Sequence, residues 1–245
     1  MVRVLTAHQP LYLPWLGFFQ KVCMSDTFCL WDDVQFTSDS FIHRNSIKTA
    51  NGPTLLTVPI HMEGFQNKTI KDMTIDNTQA WQSKHWNTIR TAYESSAPYF
   101  ECYRDFFEDV YRRKWEKIMD LDEHLLKYLF KELKISVDYV KASDLGFEGR
   151  KNDRILDMCM KMNADLLIFG QSGETYADLA KYREAGKLLH FQKYKHPKYP
   201  QLHGPFAPNM SIIDLLFCFG EKSRDILERG NPTRQELINK YLSKN

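Results

Sequence analysis

His8, Gln9 and Tyr12 follow an apolar segment and stand among two prolines, Pro10 and Pro14, four residues apart. The prolines restrict the backbone on either side of Tyr12 and disfavour helix until Trp15, so the polar groups sit in a stiff loop. His8 is the candidate general base, because an unperturbed imidazole titrates near neutrality and a loop at a strand end leaves one ring nitrogen free. Gln9 and Tyr12 supply hydrogen-bond donors beside it. Asp32 and Asp33 form a second cluster. A carboxylate there can orient the histidine, hold a substrate ammonium or hold a divalent cation, and strand alternation lets only one of the two face a pocket. With no further carboxylates nearby in sequence, metal ranks third and no metal ligand is assigned.

Other groups offer charge. Arg44 and Lys48 can clamp a carboxylate or phosphate, with the arginine more directional, or they are two exposed cations. Trp81, Lys84 and His85 share a helix face at i, i+3 and i+4. Ser172-Gly173 lies between a buried strand and a helix, where free N–H groups and the helix dipole favour an anion and the glycine admits close approach. Helix capping explains Ser172 equally well. Asp214, three residues after a candidate cap at Ser211, reads as a capping-box residue with a structural role.

The elements that must position these groups alternate. Val2 to Ala7 reads as a buried strand, Trp15 to Met24 as a helix and Thr27 to Trp31 as a second strand, which makes a β-α-β unit. Leu55 to Ile60 is an apolar run broken by Pro59, and Thr69 to Ile75 reads as a short edge strand. From Gln79 to Leu133 the pattern predicts three helices in succession, the first two separated by Pro98. Tyr103, Phe106, Phe107, Tyr111 and Trp115 have the rhythm of a buried helix face. Strands are then expected over Ile135 to Val140, Asp165 to Phe169 and Leu188 to Phe191, and helices over Lys151 to Met162 and Thr175 to Glu184. Closing helices follow at Ser211 to Glu228 and Thr233 to Leu242. Crossovers of this length imply parallel strands covered on both faces. The expected architecture is α/β, a Rossmann-like, mostly parallel sheet with helices on both faces. It forms one domain over residues 1–245 that carries a helical insertion at 79–133. Ligands of such sheets bind beyond the carboxyl ends of the strands, where the His8, Asp32-Asp33 and Ser172 clusters are expected to converge.

Bulk properties exclude some classes. The 33 basic and 31 acidic residues leave a net charge of +2, so no nucleic-acid partner is expected. Lys193, Lys195 and Lys198 read as a solvated loop. Five scattered cysteines without a Cys-x-x-Cys pair indicate neither a disulfide framework nor structural zinc. No stretch approaches the roughly 18 apolar residues of a membrane span, and the N-terminus has no leader pattern, so a cytoplasmic protein is expected.

Taken together, His8-Gln9-Pro10 with Tyr12-Leu13-Pro14-Trp15, Gly17 and Lys21, then Asp32-Asp33-Val34-Gln35-Phe36, Arg44-Asn45 with Ile47-Lys48, Ser172-Gly173 with Tyr176, Tyr199 with Gln201, and Ser211 to Leu216 resemble the WbqC-like family of bacterial proteins. The match spans nearly the whole chain. The resemblance implies a setting in surface-polysaccharide or small-molecule biosynthesis and the transfer of an acyl or aminoacyl group. It also extends the candidate substrate-binding set to Trp15, Lys21, Gln35, Asn45, Tyr176 and Gln201. The opening β-α-β unit is similar as well to adenylate-forming members of the nucleotidylyltransferase-like superfamily, pantothenate synthetase among them. Those enzymes hold ATP phosphates with two histidines separated by two residues. Leu11 stands where the second would be, so what carries over is the architecture.

Three functions follow. The first is an amide-forming acyl or aminoacyl transferase acting on an amine of an amino sugar or small metabolite. Its partners are that acceptor and an activated acyl donor, free or carrier-bound. His8 serves as base with Asp32 or Asp33 orienting it, and Arg44 and Lys48 bind an anionic part of donor or acceptor. The second is an ATP-dependent adenylate-forming ligase, and the third a noncatalytic module binding a carrier protein or nucleotide sugar. Cofactor and oligomeric state are left open.

Overall fold

The computed structural model describes residues 2–242. Five strands form one parallel sheet: β1 (Val4–His8), β2 (Thr27–Leu30), β5 (Asp138–Lys141), β6 (Leu166–Phe169) and β7 (Leu188–Phe191), in the order β5-β2-β1-β6-β7. The three central strands are almost uniformly apolar because both of their faces are covered. On one face Leu5, Cys29 and Leu167 pack against α5 (Ala142–Leu145), α6 (Asn152–Lys161) and α7 (Leu179–Glu184). On the other, Val4 and Ile168 meet Leu237 and Ile238 of α10 (Arg234–Leu242). Phe28 and Leu30 meet α1 (Leu16–Cys23) there, and Phe130 of α4 (Ile118–Glu132). Each such fully buried Leu, Ile or Phe contributes about 1.5–3 kcal/mol of transfer free energy. The expected Rossmann-like α/β architecture is the one observed.

Between β2 and β5 the chain builds a second layer. An antiparallel hairpin joins β3 (Arg44–Thr49) to β4 (Gly52–Thr57), and α2 (Trp81–Tyr93) and α3 (Phe100–Arg112) follow before α4. Trp86 stacks on Phe100 and Tyr111, with ring centroids 5.9 and 6.1 Å apart, locking α2 onto α3. Of the aromatic stripe expected in the core, Tyr103, Phe107 and Tyr111 are buried, whereas Phe106 and Trp115 are half-buried. The hairpin's first strand carries too few apolar residues for a strand pattern. The apolar run expected at Leu55 to Ile60 belongs to a strand that begins earlier, at Gly52. The edge strand expected over Thr69 to Ile75 is instead a tight 3-10 turn at Ile70–Asp72 flanked by single bridges. The helix expected from Thr175 begins at Leu179, behind another such turn at Gln171–Thr175.

α8 (Ile212–Phe219) and α9 (Ser223–Glu228) complete the layer. Ser211 caps α8 as expected, accepting from the Ile213 N–H at 3.4 Å. Asp214 does not close a capping box; its carboxylate accepts from Tyr93 at 2.8 Å, Tyr199 at 3.0 Å and Gln201 at 2.9 Å. Three donors pull its pKa down while burial pushes it up more strongly.

Asp122 lies on the inner face of α4 with both carboxyl oxygens buried and without a hydrogen-bond partner among the described residues. Burial pushes its carboxyl well above the usual range. Above pH ~4 the unfolded chain releases this proton while the folded chain keeps it, so stability falls as pH rises, by up to about 1.4 kcal/mol per pH unit. Asp122→Asn is therefore expected to match the wild type near pH 4 and to exceed it in denaturant melts at pH 8. Parallel pH profiles for the two proteins would contradict a neutral Asp122.

Candidate active site

From β1 the chain steps outward through β2 and β5 on one side and then crosses to β6 and β7 on the other. The connections after β1 and β6 diverge, which opens a crevice at the carboxyl ends of those strands. His8 ends β1, and Gly170 follows β6. A hollow of about 320 Å³ lies here, walled by Ile155, Met158 and Phe169 and edged by His8, Gln9, Lys21, Trp31, Ser172 and Tyr176. A second hollow of about 280 Å³ shares His8, Lys21, Gly170 and Ser172 with the first and adds Trp15, Gln192 and Tyr194.

The imidazole is held by the backbone of the following residue. Its Nδ1 lies 2.9 Å from the Gln9 carbonyl oxygen, which can only accept, so Nδ1 carries the hydrogen. Nε2 keeps its lone pair. Phe18 of α1 packs edge-on at 5.3 Å and fixes the ring plane. Burial, and then the positive charge of nearby Lys21, push the His8 pKa down to about 3. Lys21 reaches across from α1 to donate to the Ala7 carbonyl at 3.0 Å, and burial pulls its own pKa to about 7.

The loop bearing these groups is braced from the second layer. Asn45 Nδ2 donates to the Leu13 carbonyl at 2.6 Å, the Ile212 N–H to Pro14 at 2.9 Å, and Trp15 bridges Ser211. Asn45 thus acts on the loop backbone. On the far rim Gly173 does not line either hollow. A Cβ there would stand 2.6 Å from Phe169 Cβ, so the glycine serves packing rather than ligand approach. Gly173→Ala is expected to cost about 1–3 kcal/mol in a thermal melt by overpacking this rim; an unchanged melt would show that the turn yields freely.

The remaining candidates lie elsewhere. Neither twin acid lines the hollows, because each is engaged by a residue far along the chain. Asp32 accepts from the Ser143 N–H at 3.0 Å and hydroxyl at 2.6 Å, anchoring the start of α5. Asp33 pairs with Arg154 of α6 at 2.5 Å, and Arg154 lies over Trp31. Neither is placed to orient His8. Tyr12 points into the core, its hydroxyl 2.9 Å from His85 Nδ1 and 2.5 Å from the Tyr111 hydroxyl. Exposed Gln35 donates to the Gln66 carbonyl at 2.7 Å. Arg44 and Lys48 form no clamp at the hollows: Arg44 is half-buried on β3, and Lys48 is buried and donates to the Pro205 carbonyl. Lys84 and His85 edge a separate cavity of about 420 Å³ beside β4. Gln201 belongs to the Asp214 network. Trp31, Gly170, Gln192 and Tyr194 line the hollows without having been singled out from sequence. The position of Gln192 and Tyr194 just past the β7 end was the available signal.

A five-stranded parallel sheet with helices on both faces and a crevice between its two central connections defines a Rossmann-like α/β protein. The WbqC-like protein family model matches residues 9–226, and the chain belongs to that family. It is 30% identical over 221 residues to the uncharacterized protein Rv1507c of Mycobacterium tuberculosis, covering 89% of this chain and 95% of that one. No solved structure matches. Among the described residues no helix is long and apolar enough to cross a membrane.

Proposed function

We propose that the protein is an amide-forming transferase that moves an acyl or aminoacyl group from an activated donor to the amine of an amino sugar or small metabolite. The supporting observation is the free lone pair of His8 Nε2, on a residue that lines two hollows. The acceptor nitrogen attacks the acyl carbon, the C–N bond forms and the bond to the leaving group breaks. An N-protonated amide is far more acidic than an imidazolium, so even an imidazole of lowered basicity takes the proton at this stage. Nε2 then returns it to the departing group. Incubation with thioester and acyl-phosphate donors, against amino sugars and amino acids as acceptors, tests this by mass detection of the amide. Absence of product from every pair counts against it.

A second reading, an ATP-dependent ligase, draws on the position of the hollows at the point where nucleotide-binding sheets of this kind hold their ligands. It requires magnesium-dependent ATP binding by calorimetry; a silent titration removes it.

A further inference from the structure

The half-buried Arg154 pairs with Asp33 and the half-buried Arg234 with Asp26. Of the two buried lysines among the described residues, Lys48 lies in the field of Asp214. Lys21 is only 3% exposed, yet its ammonium spends one hydrogen bond, on the Ala7 carbonyl, and pairs with no carboxylate among the described residues. An ammonium offers three donors. Burying such a charge unpaired costs several kcal/mol. Lys21 also borders both hollows, as does the hydroxyl-bearing Ser172.

We infer that Lys21 is the counter-ion for an anionic group, carboxylate or phosphate, on a ligand bound in the hollows that Lys21 borders. This deepens the transferase reading and rests on it for the ligand's role. The lone pair on His8 Nε2 repels an anion and attracts an N–H, so the ligand's charge belongs on the Lys21 side and its amine on the imidazole side. An amino acid and an amino-sugar phosphate both satisfy that polarity.

The anion has a second consequence. Burial alone leaves the amine partly neutral near pH 7, and an arriving negative charge restores the ammonium, so binding takes up a proton. Proton uptake should be larger at pH 8 than at pH 6, on either side of a group near 7, and acetate, which does not titrate in this range, reads it directly.

The test is calorimetric titration of the full chain with inorganic phosphate and with acetate, each at pH 6 and 8 in two buffers of different ionisation heat. Chloride at matched ionic strength is the control. Phosphate binding alone points to a phosphorylated ligand and acetate binding alone to a carboxylate; both support the site. Lys21→Met, which keeps the apolar stem, is expected to melt no lower than wild type and to bind the anion at least tenfold more weakly without proton uptake. His8→Gln is expected to keep anion binding. Equal binding by wild type and Lys21→Met, or no binding of either anion, overturns the inference. The amide-product assay stands apart from these titrations, so failure of one is separable from failure of the other.

Discussion

Replacing His8 by glutamine is expected to leave a normally folded protein whose amide-forming turnover is lower by about 10²–10⁴-fold, the usual contribution of a positioned proton acceptor. Glutamine fills similar space and hydrogen-bonds to a carbonyl as Nδ1 does, but it has no basic nitrogen to put in place of Nε2. The pH profile sharpens the test. His8, pushed to about 3, stays neutral throughout the ordinary assay range and produces no acid limb near 6.5. Lys21, near 7, must be an ammonium to hold an anionic substrate, so kcat/KM should decline as pH rises through that value. An enzyme with full turnover after His8→Gln would end the assignment of the imidazole as base, whatever the profile.

The largest expected loss of stability comes from Asp214→Ala. Removing the carboxylate strips the acceptor from three donors, Tyr93 at 2.8 Å, Tyr199 at 3.0 Å and Gln201 at 2.9 Å, all inside the protein. Tyr93 is also a partner of β3, accepting from the Lys48 N–H at 3.1 Å. The substitution therefore loosens α2, α8 and the hairpin together. Leaving a buried donor without its acceptor costs about 1–3 kcal/mol, so the three together cost at least about 3 kcal/mol, which for a chain of this size lowers the melting temperature by at least roughly 6 °C. A thermal melt within a degree of wild type would show that the tyrosines find other partners.

The sheet was legible because its strands are short apolar runs separated by amphipathic helices, a pattern dictated by burial on two faces. The crevice was legible too, since His8 ends β1 and Ser172 lies in the turn that follows the adjacent β6. The twin acids were not. Strand alternation sets which side a residue faces, but the partners that claim Asp32 and Asp33 are Ser143 and Arg154, more than a hundred residues on. Lys48, read as either a clamp for an anion or an exposed cation, is neither at the hollows, because it is buried and donates to the carbonyl of distant Pro205. The hairpin strand Arg44–Thr49 escaped notice because its buried positions include Asn45 and Lys48, whose polar groups are satisfied by distant backbone.

The brace on residues 13–15 makes the first strand's tip a seam between two layers, stitched by Asn45 from one direction and Ile212 from the other. Grafting the opening β-α-β unit onto a foreign scaffold would transplant the histidine and the lysine yet leave their loop unsewn. Reshaping the two hollows would accordingly call for varying the hairpin and the start of α8, which line neither of them.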